Sequence, residues 1–127
     1  MCNAMIVDDE KGVRENNRDL LGARGFETFE AENGDKASVM LLGEKKMGLA
    51  LVDIRMPVVD GPVLVDMIKL LSPETKIVVS SVYPLYDQKR LINNADAYHE
   101  KSEGLEMLMF RIESILPKGP LYDRKYA

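Results

Sequence analysis

Four places in this chain carry side chains suited to joint chemistry. Asp8-Asp9-Glu10 follows the apolar run Ala4 to Val7, Asp53 follows Leu49 to Val52, Ser80-Ser81 closes the run from Lys76, and Lys101 follows Asp96 to His99. Two or three carboxylates brought within a few ångströms repel one another and cannot all stay ionised without a cation. A hard divalent ion relieves this. Mg²⁺, which takes one or two carboxylates plus waters and phosphate oxygens, suits such a set, and Mn²⁺ is an acceptable substitute. An ammonium across the pocket offers a point charge to a phosphoryl group, and a hydroxyl can donate to one of its oxygens. A carboxylate so placed can itself be the nucleophile, taking phosphoryl as an acyl phosphate, and Asp53 at the end of an apolar run is the candidate.

These positions meet only if the elements bring them together. Short apolar runs alternate with longer amphipathic ones, the pattern of an α/β domain with a parallel sheet. The strand candidates are Ala4 to Val7, Phe26 to Glu30, Leu49 to Val52, Lys76 to Ser80 and Asp96 to His99. The first, third and fourth are apolar on consecutive positions and read as central strands buried on both faces. Glu27, Glu30, Asp96 and His99 suit the second and fifth to the edges, with His99 pointing along its edge strand rather than at the acceptor. Helical stretches run from about Glu10 to Arg24, Gly34 to Leu42, Pro62 to Leu71, Leu85 to Asn93 and Glu103 to Leu116, with Gly25 and Gly43 placed as C-terminal caps. The sum is (βα)5. In such a sheet ligands collect at the carboxyl ends of the strands, where the acids, the hydroxyls and the lysine all stand.

Each residue also has a plainer reading. Asp8 and Asp9 suit the N-terminus of a helix, Glu10 a solvated first turn, Ser80 or Ser81 a strand end, and Lys101 the surface. Together, at separate strand ends, these plainer readings lose ground. Composition sets further bounds. The 127 residues, 46% apolar and 30% charged, suit one globular domain. A net charge of −4 argues against nucleic-acid binding by this chain. No apolar run reaches the roughly 18 residues of a membrane span and no signal-peptide pattern precedes the first strand, so the expected address is the cytoplasm. Cys2 has no second cysteine for an internal disulfide, and no role is expected of it.

The stretches "IVDDE", "LVDIRMPVVDG", "IVVSSVY" and "DAYHEKS", in this order on a (βα)5 pattern, resemble the receiver domain of two-component response regulators. The resemblance covers Ala4 to Leu116, and the spacings, 44 residues from Asp9 to Asp53 and 28 from Asp53 to Ser81, suit it. It implies a flavodoxin-like, doubly wound parallel five-stranded sheet of order 2-1-3-4-5 over residues 1–116, with residues 117–127 a tail or the start of a linker. It also implies the roles of single residues. Asp53 matches the phosphoacceptor, Asp9 the direct Mg²⁺ ligand, Asp8 its companion acid and the backbone carbonyl of Arg55 a further ligand. Ser81 matches the switch hydroxyl, Lys101 the phosphate-binding lysine and Tyr98 the aromatic that changes rotamer. The implied donor is a partner histidine kinase or phosphotransfer protein, and the implied response is a shift of the fourth and fifth helices.

Several positions depart from the usual pattern. Ser102 stands where a proline usually follows the lysine, so a trans bond and an altered loop are expected. Val82 replaces the usual small residue and should narrow the mouth over Asp53. The 20 residues from Ser81 to Lys101 are few, which predicts a clipped fourth helix. Arg55, Val82 and Tyr83 are expected to flank the phosphoryl group and hinder water. On the last helix, Leu105, Leu108, Met109, Ile112, Ile115 and Leu116 form the core stripe and leave Met107, Phe110 and Ser114 opposite. Met107 and Phe110 are either scattered surface residues or a contact for a homodimer or output partner. Two rival functions remain open: a receiver-like interaction module independent of phosphorylation, and a small phosphohydrolase with Asp53 as nucleophile.

Overall fold

A computed structural model describes residues 2–54 and 60–117. The strands β1 (Asn3–Val7), β2 (Glu27–Ala31), β3 (Leu49–Val52), β4 (Lys76–Ser81) and β5 (Ala97–Glu100) form one parallel sheet in the order β2-β1-β3-β4-β5. Helices α1 (Lys11–Ala23), α2 (Gly34–Leu41), α3 (Gly61–Leu71), α4 (Leu85–Leu91) and α5 (Leu105–Ile115) connect and cover it, and a 3₁₀ turn spans Lys101–Glu103. None of the described helices is long and apolar enough to cross a membrane.

The consecutive apolar runs are buried on both faces, as expected of central parallel strands. Alternation along each strand divides the core in two. Met5, Val7, Ala50, Val52, Ile77 and Val79 face one cluster with Leu64, Val65 and Ile68 of α3. Ala4, Ile6, Leu49, Leu51 and Val78 face the other, with Leu21 of α1 and Leu108, Met109 and Ile112 of α5. Register then sets the height of each strand end. Val7 pairs with both Ala31 and Val52, and Val52 pairs with Val79. Asp8 and Asp53 therefore leave neighbouring strands at the same level, tied by the Asp53 N–H donating to Val7 O at 3.0 Å.

The glycine of the "DIRMPVVDG" stretch owes its place to crowding. A Cβ on Gly61 would stand 2.6 Å from both Asp53 O and Ile54 Cα, so only glycine lets α3 begin this close to the end of β3. Pro62 follows in the first turn of that helix, where its missing N–H is not needed.

Several expectations need correction. Gly25 follows the end of α1 with φ of 93°, as expected of a cap, but Gly43, whose N–H donates to Met40 O at 3.1 Å, does not take the left-handed conformation. Leu105 is 44% exposed and drops out of the α5 core stripe, whose fully buried members are Leu108, Met109 and Ile112. His99 does not lie along the edge. It is 2% exposed, because alternation turns it inward toward α5 while Tyr98 turns toward α4. The fourth helix is short, ending at Leu91 rather than Asn93. The 117–127 tail lies outside the described residues from position 118 onward.

Candidate functional site

The acidic turn after β1 is shaped by its own hydrogen bonds. Asp8 is buried, and its Oδ1 accepts the N–H of Glu10 at 2.9 Å, while Glu10 is the N-cap of α1. Asp8 and Asp9 are thus not the capping residues themselves. Asp9 and Glu10 are exposed, and the carboxylate oxygens of Asp8, Asp9 and Glu10 all lie within 4.8 Å of one another. Three hard oxygen donors so crowded fit the chemistry of a hard divalent cation.

Asp53 is 7% exposed at the end of β3, where its Oδ1 accepts the Ile54 N–H at 2.8 Å. Lys101 joins the two strand ends, with Nζ 2.8 Å from Asp8 Oδ2 and 3.5 Å from Asp53 Oδ2. Burial pushes the Asp53 carboxyl up from 3.8 to about 6, with the Lys101 charge pulling it down and the Asp8 charge adding to the rise. Burial also works against the charge on Lys101, but the hydrogen bond to Asp8 and the charges of Asp53 and Asp8 outweigh it and hold that amine above its ordinary value. The lysine is carried by a trans-bonded 3₁₀ turn closed by Glu100 and Glu103, each accepting the other's N–H. The trans bond expected at Ser102 is present. Gly104, at φ of 89°, then turns the chain into α5 in a conformation other residues rarely adopt.

Ser81 ends β4 with 1% exposure, its Oγ accepting the Tyr83 N–H at 3.3 Å. Val82 is 68% exposed, and Tyr83 packs half-buried against the cluster on the α3 side. Tyr98 is turned inward, its hydroxyl donating to Ile92 O at 2.6 Å. Arg55, both as carbonyl ligand and as flanking side chain, lies outside the described residues. On α5, Met107 is 38% and Phe110 67% exposed.

Sequence reasoning missed two residues around this pocket, Arg14 and Gln88, and left open which way Ser80 points. Arg14 on α1 donates through its guanidinium to Asp8 O at 2.7 Å and stands 3.5 Å from Glu30, bracing the acidic turn. Gln88 is fully buried under α4, although the helical period places position 88 on the inner face with Ile92, a signal available in the sequence. Ser80 points away from Ser81, its hydroxyl 2.8 Å from His99 Nδ1. Since His99 Nε2 lies 2.9 Å from the carbonyl of Gly104, the neutral ring donates there and accepts from Ser80. Desolvation holds His99 below its ordinary pKa.

A family model, the response regulator receiver domain, matches residues 4–113. The chain is 32% identical over 114 residues to a cyclic di-GMP phosphodiesterase of Thermotoga maritima, a match covering 88% of this chain and 30% of that protein. It is 28% identical over 125 residues to the response regulator MprA of Mycobacterium ulcerans, covering 97% and 53%. The chain thus spans less than two thirds of the length of these curated relatives. Among solved structures, TrrA of Thermotoga maritima in complex with Mg²⁺–BeF matches with a TM-score of 0.80 at 28% identity, covering 91% of this chain and 100% of that one. TrrA has also been solved in complex with the histidine kinase ThkA.

Proposed function

The chain belongs to the response regulator receiver domain family, and from that premise we propose that Asp53 accepts a phosphoryl group from a partner histidine kinase or phosphotransfer protein. The observation that carries this reading is Lys101 Nζ, held between buried Asp8 at 2.8 Å and Asp53 at 3.5 Å at the carboxyl edge of the sheet. The Mg²⁺–BeF bound by TrrA and its complex with a histidine kinase support the same chemistry here.

Asp8, Asp9 and Asp53 are the side chains that would hold Mg²⁺, with the Arg55 carbonyl as a further ligand. Such an ion offsets the negative charge of the carboxylates and of the incoming phosphoryl oxygens. The protein's own residues do the rest. An Asp53 oxygen, ionised at neutral pH, attacks phosphorus, and the new P–O bond forms as the bond from phosphorus to the donor's imidazole nitrogen breaks, with that nitrogen keeping the electron pair. Lys101 is within reach of an oxygen of the transferred group and supplies positive charge to it. Ser81, two residues beyond the end of the pairing with β3, supplies a hydroxyl that turns toward the same group. Rotation of Tyr98 and movement of α4, β5 and α5 follow as a shift in population. The chemistry occurs once per signal rather than as turnover on a substrate. As the resemblance implies, Arg55, Val82 and Tyr83 hinder an attacking water, so Tyr83→Ala and Arg55→Ala should shorten the half-life of the acyl phosphate.

The test is intact mass after incubation with acetyl phosphate and Mg²⁺. A gain of one phosphoryl, absent in Asp53→Asn and with a chelator, is expected. No gain in a chain that still binds Mg²⁺ would point to an occluded pocket, and no Mg²⁺ binding would favour an interaction module that works without phosphorylation.

A further inference from the structure

Gln88, the chain's single glutamine, is completely buried on the inner face of α4. Its Nε2 donates to Tyr83 O at 2.7 Å and to His99 O at 2.9 Å, with Ser81 O farther off at 3.4 Å. Its main chain extends the same grip. The N–H donates to Pro84 O at 3.0 Å and the carbonyl accepts the Ile92 N–H at 2.8 Å, while Ile92 O accepts the Tyr98 hydroxyl at 2.6 Å. One residue therefore touches the loop after β4, the helix α4 and the strand β5.

An amide nitrogen carries only two hydrogens, so these carbonyls compete for them, and Ser81 O is the one whose hold a small movement would change most. Gln88 Oε1 has no hydrogen-bond partner among the described residues although it is buried. A buried acceptor left unpaired works against stability, whereas the two donors of the same amide satisfy the carbonyls of Tyr83 and His99. The amide is better explained by what it positions.

We infer that Gln88 is the positioning residue that couples the Asp53 pocket to the face formed by α4, β5 and α5. It makes the Ser81–Tyr83 loop, α4 and β5 respond as one body, so a displacement of Ser81 reaches Tyr98 and α5. The inference rests on the reading of Asp53 as phosphoacceptor. Coupling of this kind needs an element with two arrangements that both sites bias, and α4 is that element.

The experiment compares backbone amide shifts of the full chain and of Gln88→Met with and without Mg²⁺ and beryllofluoride, a mimic of the phosphoryl group. Methionine keeps the length and volume of glutamine but donates nothing. In the native chain, amides near Asp53 and Ser81 and those of Tyr98 and α5 should shift together. In Gln88→Met the pocket amides should still shift while those of Tyr98 and α5 lose most of their response. A residue that merely fills the core would leave both sets of shifts intact in the folded protein, and that result overturns the inference. Should the methionine variant fail to fold, Gln88→Asn, which retracts the amide by one methylene, must show the same split or the inference falls. A native chain with no pocket response overturns the Asp53 reading and this inference with it, whereas an undiminished response on the far face overturns the inference alone.

Discussion

Lys101 is set among more negative charge than it can neutralise. It bonds to Asp8 and stands near Asp53, yet burial still leaves the Asp53 carboxyl raised to about 6. Because the folded value exceeds 3.8, ionising Asp53 costs stability, and the cost enters as pH rises from about 4 to 6. A shift of that size corresponds to about 3 kcal/mol at pH 7. Metal-free Asp53→Asn should therefore melt higher than the native protein at pH 7 and lose that advantage at pH 4, as thermal denaturation in the two buffers would show. Lys101→Ala has the opposite effect, leaving two buried carboxylates without their cation at a cost of about 3 kcal/mol. Mg²⁺ should raise the melting temperature of Lys101→Ala by more than that of the native protein, since the ion replaces the lost charge. An equal rise in both would show that the lysine and the metal do not share Asp8.

The elements hold these residues through contacts that leave little room. Gly61→Ala would force a methyl against the carbonyl of Asp53 at 2.6 Å, and moving β3 or α3 to admit it costs about 1–3 kcal/mol. Chemical denaturation should show that loss, accompanied by weaker Mg²⁺ binding, because the atom displaced belongs to Asp53. The strand β5 depends on a neutral histidine. His99 bridges Ser80 and the carbonyl of Gly104, which begins α5, and burial holds its pKa below 6.5. A proton binds more readily to the unfolded chain, so this contribution to stability is lost as pH falls through 6.5. Asp53 acts in the other direction over an overlapping range. The acid-side loss should therefore be clearest in the Asp53→Asn background and should disappear when His99→Asn is added. The charged Asp96 and an edge position made His99 look like a surface residue in the sequence, but alternation puts it on the same face as Ala97, which packs against the cluster shared with α5.

The molecule as a whole presents Phe110 and Met107 on α5 without cover from the described residues. Phe110→Glu should leave stability within about 0.5 kcal/mol, as is usual for exposed positions. It should weaken any self-association measured by sedimentation of the chain after beryllofluoride treatment, and an unchanged sedimentation profile would remove a dimer through this face. The sheet, its central strands and the set of residues at its carboxyl edge are readable from the chain alone, because burial on both faces writes an uninterrupted apolar run into it and each run is followed by a polar or charged side chain. Asp8, Asp53, Ser81 and Lys101 were therefore legible at once. How those residues pair is fixed in three dimensions. How closely Lys101 approaches Asp8 and Asp53, and which carbonyls Arg14, Gln88 and His99 reach, depends on strand register and on groups distant in sequence. Those contacts are made between segments whose separation in the chain carries no periodic signal, so they become visible only when the strands are side by side.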